Sequence, residues 1–346
     1  MDYINDMKKL YPDLLKQMQE RYLILYNIHL LQPIGRRFLI RLTNLTERKI
    51  RNEIQYLHEQ GLIQLTTKGM YITNEGKIII EKLNDFNREI SGLRLLEKQL
   101  KDKLEIERIV VVPGNSDRID HVKMEMGKAC VQFLLSYIQT DTTFVVTGGT
   151  TMAAVANEML PLGKSKCMFV PARGGIGEKV ENQANTIVAK MAEKENGDYR
   201  LLFAPDPLSE SSYQSLIQEP SIQETLKMIK NAQVVLHGVG DALVMAKKRK
   251  TPDNIMKRLK KERAVSEAFG YYFNEKGEIV HKLRTIGLQL DDVKQADFVI
   301  TIAGGASKGL AIASYMKKNK SDLLITDEAA RSEEHTSELQ SHTEIS

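Results

Sequence analysis

Thr147-Gly148-Gly149-Thr150-Thr151 follows the apolar run Thr143–Val146 and opens a helical pattern from Met152 to Met159. Backbone N–H groups, hydroxyls and a helix N-terminus at one turn make an anion site that needs no metal. Other turns of the same kind carry cations. Arg173 stands in Pro171-Ala172-Arg173-Gly174-Gly175, and Lys308 follows Ala303-Gly304-Gly305-Ala306-Ser307. The run Lys247-Lys248-Arg249-Lys250 comes after His237-Gly238-Val239-Gly240-Asp241. A guanidinium or ammonium at such a place forms charge-assisted bonds to phosphate, and several cationic clusters suggest more than one phosphate. No Lys completes a P-loop after Gly-Gly-Thr-Thr, and the turn is no dinucleotide fingerprint.

Other polar residues have two readings. Gln183 and Glu267 can contact sugar hydroxyls or be surface polar residues, and Lys247 to Lys250 can be a ligand cluster or a solvated charge run. Gly304-Gly305 serves either ligand approach or tight packing. His237 and Asp241 are the near-motif pair for acid–base chemistry, but no second partner is spaced for a relay. Cys130 and Cys167 lie in apolar stretches without metal-ligand spacing, which predicts buried thiols and no metal site.

These turns need strands to hold them. Ile109–Val112, Thr143–Val146, Cys167–Val170, Tyr199–Phe203, Val234–His237, Phe298–Ile302 and Leu323–Ile325 are short apolar runs that alternate with helical patterns. Such alternation predicts a mainly parallel sheet covered on both faces. Ligands of such sheets bind beyond the carboxyl ends of the strands, where these turns fall.

The first hundred residues carry a different pattern. A helix from Arg21 to Leu31 ends before Pro33 and Gly35, and a short helix Arg36–Leu42 leads to the turn Thr43-Asn44. Thr46 suits the N-cap of a helix Glu47–Gln60, and Gly61 suits its C-terminal stop. Leu62–Leu65, the turn Thr-Thr-Lys-Gly and Met70–Thr73 make a hairpin. Between Arg21 and Met70 eight basic residues face three acids. Helix, helix, turn, basic helix and hairpin together predict a winged helix-turn-helix. Arg48, Lys49, Arg51 and Asn52 are expected at base edges, with Arg36, Arg37 and Lys68 as further DNA contacts. Gly76 to Leu104 predicts one long linker helix, whose apolar stripe packs on the second domain or on another subunit.

The chain has 346 residues, 42% of them hydrophobic and 27% charged, with net charge +4, enough for two packed domains. No apolar run of about 18 residues is present to span a membrane, and Met1 to Asp13 lacks an apolar signal core. A cytoplasmic protein is expected. The string from Arg331 to His342 breaks off an ordinary α/β ending and resembles a translated sequencing-adapter read-through. Residues 331–346 are therefore expected to be non-native, with the native C-terminus missing. The remaining divisions are residues 1–75 for the winged helix, 76–104 for the linker and 105–330 for the second domain. Joining DNA chemistry to an anion site, such a chain is most simply a regulator that senses a phosphorylated compound.

Together, the basic helix-turn-helix, Gly-Gly-Thr-Thr, Pro-Ala-Arg-Gly-Gly and Ala-Gly-Gly-Ala-Ser-Lys-Gly resemble the SorC-type sugar-binding transcriptional regulators. The resemblance extends to Ala330. It implies a Rossmann-like α/β effector domain, similar to sugar-phosphate isomerases and deaminases without their catalytic machinery. It further implies a homo-oligomeric repressor, dimer or tetramer, of the glyceraldehyde-3-phosphate dehydrogenase operon. The implied inducer is fructose 1,6-bisphosphate, with double-stranded operator DNA as partner and no cofactor. On this resemblance Gly148, Gly149, Thr150 and Thr151 hold one phosphate, and Arg173 and Lys308 are charge partners. Gln183 and Glu267 contact hydroxyls, and Lys248 or Arg249 approaches the other phosphate.

Overall fold

The computed structural model describes residues 2–43, 45–163, 166–175 and 179–331. The chain divides into two compact units, Met1–Leu96 and Glu97–Ser346. Of the expectations above, Asn44 and the segment after Arg331 lie outside the described residues.

In the first unit, helices Asp2–Leu10, Pro12–Leu31, Arg36–Thr43 and Glu47–Glu59 precede a hairpin of β1 (Ile63–Thr66) and β2 (Gly69–Ile72). The apolar stripes of the last three helices meet the hairpin in one core. Ile24 and Ile28 come from the second helix, Leu39 from the third, and Ile50, Ile54 and Leu57 from the fourth, with Ile63 and Met70 from the hairpin. Thr46 caps the fourth helix by accepting from the Lys49 N–H at 3.4 Å. Gly61 ends the turn after it at φ +71°, a conformation that costs glycine little.

The expected linker helix is instead two helices, Asn74–Ile90 and Leu93–Leu104. Gly92 stands between them at φ +80°, and a left-handed residue cannot continue an α-helix. The first of the pair packs within its own unit. Ile80 enters the core, and the Gln19 side chain donates to the Ile90 carbonyl at 2.7 Å.

The second unit contains β3 (Arg108–Val112), β4 (Thr142–Val146), β5 (Cys167–Pro171), β6 (Asp198–Tyr199), β7 (Val234–His237), β8 (Gly240–Asp241), β9 (Ala264–Ala268), β10 (Tyr271–Asn274), β11 (Ile279–Lys282), β12 (Phe298–Ile302) and β13 (Leu323–Asp327). Seven form a parallel sheet in the order β3-β13-β12-β7-β4-β5-β6. Phe144, Phe169, Leu236, Ile300 and Ile325 point into a core shared with helices Asp120–Tyr137, Thr150–Glu158 and Ala184–Glu195. Val145, Val235, Val299 and Leu324, which alternate with them, are buried too. Both faces are therefore covered, as the continuous apolar runs require.

Two features depart from expectation. The strand expected over Tyr199–Phe203 stops at Tyr199, because the Asn185 side chain takes both the N–H and the carbonyl of Leu202 at 3.1 Å. Phe203 is left 75% exposed. The second is an antiparallel sheet of four strands, β11-β10-β9-β8, which the reading of the sequence lacks. Among the described residues, no helix is long and apolar enough to cross a membrane.

Candidate functional site

The direction of the sheet changes between β4 and β7. From β4 the chain moves outward to β5 and β6; from β7 it moves the other way, to β12 and β13. A crevice opens at such a reversal, beyond the carboxyl ends of the strands. A cavity of about 200 Å³ lies there. Turns after four adjacent strands line it, with Gly148 to Thr151 after β4, Arg173 after β5, Gly238 to Asp241 after β7 and Lys308 after β12.

The β4 turn is built for close approach of the backbone. A Cβ on Gly148 would sit 2.8 Å from the Asn182 carbonyl oxygen. Gly149 holds φ +118° and donates its N–H to that same carbonyl at 2.8 Å. The Gly149 amide is therefore engaged within the protein. Thr150 and Thr151 begin the helix, where the first N–H groups have no intrahelical acceptor and the dipole favours an anion.

Among the cations, Lys248 and Lys308 line the cavity and Arg249 does not. Burial pulls the Lys308 ammonium below the usual lysine range. Lys123 and Lys248 add to that pull, while Asp117 and Asp327 oppose it. Arg249 is buried behind the wall, donating to Glu267 Oε1 at 2.9 Å and to the Tyr272 hydroxyl at 3.0 Å. Its side chain is fully covered, and both groups it donates to belong to the protein.

Arg173 lies in the wall but is shared. Its Nε is 3.1 Å from Asp206 Oδ2 and its Nη1 is 3.5 Å from Glu267 Oε1. Glu267 also accepts from the Gly270 N–H at 2.8 Å. Burial pushes the Glu267 carboxyl up, but Arg249 and Arg173 outweigh it and hold the group below the usual range. Asp206 goes the other way, because its burial outweighs the same two arginines. The sequence reading missed Asp206, which carries no motif. Two arginines and two carboxylates thus form a buried quartet at the edge of the cavity. Glu267 and Gln183 both line it. Phe269, also missed, lines it as well.

The pair considered for acid–base chemistry is placed otherwise. His237 is fully buried, with Nε2 2.8 Å from Thr301 Oγ1 and Nδ1 3.1 Å from the Gly238 carbonyl. Burial pushes its pKa down to about 4. Asp241 lines the cavity but caps helix Ala242–Lys248, accepting from the Val244 N–H at 2.8 Å. Cys130 and Cys167 are buried free thiols pushed up to about 12, Cys130 by burial and Cys167 by burial and Glu195.

In the first unit, Arg36, Arg37, Arg48, Arg51, Asn52 and Lys68 are exposed. Helix Glu47–Glu59 turns Ile50, Ile54 and Leu57 inward, which leaves Arg48, Arg51 and Asn52 outside. Lys49 is only half-exposed and pairs with Glu20 of the second helix. Arg51 pairs with Glu47 at 3.1 Å across one helical turn. Lys68 lies in the turn of the hairpin, between Thr66 and Gly69.

Comparison with known proteins gives both units relatives. Residues 88–332 match the family described as "Putative sugar-binding domain", and residues 17–87 match "CggR N-terminal DNA binding domain". The chain is 51% identical over 332 residues to the Central glycolytic genes regulator of Priestia megaterium, covering 95% of this chain and 97% of that protein. It is 48% identical over 328 residues to the regulator of the same name from Bacillus subtilis, covering 94% and 96%. A solved transcriptional regulator from Enterococcus faecalis assigned to the SorC family superposes with a TM-score of 0.65 at 46% identity. That match covers 68% of this chain and 98% of the other.

Proposed function

The chain belongs to the family of sugar-binding transcriptional regulators that includes the Central glycolytic genes regulators, and on that premise we propose that it represses a glycolytic operon until fructose 1,6-bisphosphate binds. The operon in this reading is that of glyceraldehyde-3-phosphate dehydrogenase. The winged unit holds operator DNA, and the chain acts as a homo-oligomer whose paired winged helices span two half-sites. Ligand in the cavity then alters how those helices are presented.

One observation carries the reading. A single cavity brings the helix N-terminus at Thr150–Thr151 together with Lys248 and Lys308, which suits a compact ligand with more than one phosphate. Arg173, Gln183 and Glu267 supply polar groups beside them. The positions of His237 and Asp241 favour a sensor over an enzyme, since one is sealed in the core and the other caps a helix.

Calorimetry of the full chain with fructose 1,6-bisphosphate and fructose 6-phosphate, followed by gel shifts on the operator, tests the proposal. Selective binding of the bisphosphate, with weaker DNA binding in its presence, is expected. Preference for the monophosphate would move the regulator to another sugar phosphate. Binding of neither would end the reading of this cavity as a sensor.

A further inference from the structure

β9 and β10 are joined by two residues, Phe269 and Gly270, between the paired Ala268 and Tyr271. Their φ angles are +55° and +85°, the pattern of a type I′ hairpin turn. Glycine, asparagine and aspartate dominate its first position, because a side chain at positive φ crowds its own backbone. Here that position holds phenylalanine.

The turn is fixed on both sides. The Gly270 N–H donates to Glu267 Oε1 at 2.8 Å. The Phe269 ring lies against His237 with centroids 4.6 Å apart, and His237 is itself held by Thr301 and Gly238. Phe269 is 4% exposed, and it is the aromatic residue among the described residues that line the cavity. Val239 and Ile302 line the cavity as well, while Thr150, Gln183 and Glu267 give it polar groups. A cyclic sugar has the same division, with C–H bonds on its faces and hydroxyls around its edge.

We propose that Phe269 is the platform for the ring of a phosphorylated sugar, and that it makes the cavity prefer a cyclic sugar phosphate to an open-chain or inorganic one. The inference rests on the phosphorylated-sugar reading of this cavity and adds the part of the ligand that phosphate contacts cannot recognise. An aromatic face offers a sugar ring dispersion and apolar contact, and gives pyrophosphate neither.

The test is calorimetry on the full chain with fructose 1,6-bisphosphate, an open-chain hexitol 1,6-bisphosphate and pyrophosphate. The parent is compared with Phe269→Leu and Phe269→Tyr. The parent is expected to favour the cyclic compound. Phe269→Leu should bind it about tenfold more weakly, the scale of one aromatic contact, with pyrophosphate nearly unchanged. Phe269→Tyr, which keeps the ring, should retain the preference. Equal losses for all three ligands would make Phe269 a structural residue and overturn the proposal, as would an unchanged preference in Phe269→Leu. Should Phe269→Leu not fold, the parent decides, because equal affinity for cyclic and open-chain compounds overturns the proposal. If the parent binds neither bisphosphate, the phosphorylated-sugar reading fails first.

Discussion

Lys308 must be charged to attract phosphate, yet burial, with Lys123 and Lys248, lowers its pKa against Asp117 and Asp327. The unfolded chain therefore holds that proton more tightly, so the group's effect on stability improves as pH rises through its folded pKa. Ligand binding has the opposite preference. A phosphate beside Lys308 raises its pKa, so binding should take up protons on the alkaline side and weaken as pH climbs. Calorimetry in buffers of different ionisation heat reads this directly, and heats independent of the buffer would count against it. The buried quartet makes a second prediction. Arg249→Met should cost about 3–5 kcal/mol in urea unfolding, because Glu267 keeps its burial and loses its closest cation. Glu267, held below its usual range, contributes stability above its unfolded pKa that is lost as pH falls through the folded one. These pairings were not legible in the sequence. Arg173 and Glu267 stand 94 residues apart, and residue type alone cannot tell a cation that meets ligand from one that meets a carboxylate.

At the scale of elements, local chemistry was the best guide. The helix from Glu47 was legible because its stripe, its Thr46 cap and Gly61 agree. Thr46→Ala should therefore cost about 1 kcal/mol, measurable as a lower urea midpoint. On the same helix, Arg48→Ala should weaken operator binding more than Lys49→Ala, since Lys49 is engaged with Glu20. Equal losses in a gel titration would reverse that division of labour. The linker misled for a physical reason. Ile90, Leu93, Leu96 and Leu100 keep helical spacing across the break, so periodicity cannot see Gly92 at φ +80°. The antiparallel sheet went unread although Tyr271–Asn274 and Ile279–Lys282 flank a Gly277 turn. Its strands are short, and its pairing of β8 with β9 spans a pair of helices.

Each of the two compact units has a buried apolar core of its own. Scanning calorimetry of the full chain should show two transitions, and a bound sugar phosphate should raise one. The gain is about 2.7 kcal/mol at a hundredfold excess over Kd. A single transition that shifts as one would show the units to be thermodynamically coupled. The seven-stranded sheet also sets an order in time. β13 lies between β3 and β12, so the first strand of that sheet waits for the last. At about 5–20 residues per second, the wait from Val112 to Leu323 during synthesis is on the order of 10–40 s. Through that interval β3 has neither edge paired, the kind of surface that chaperones cover and that aggregation exploits. The winged helix is meanwhile complete, so a nascent chain is equipped to meet DNA well before it has the sheet that carries the proposed ligand cavity.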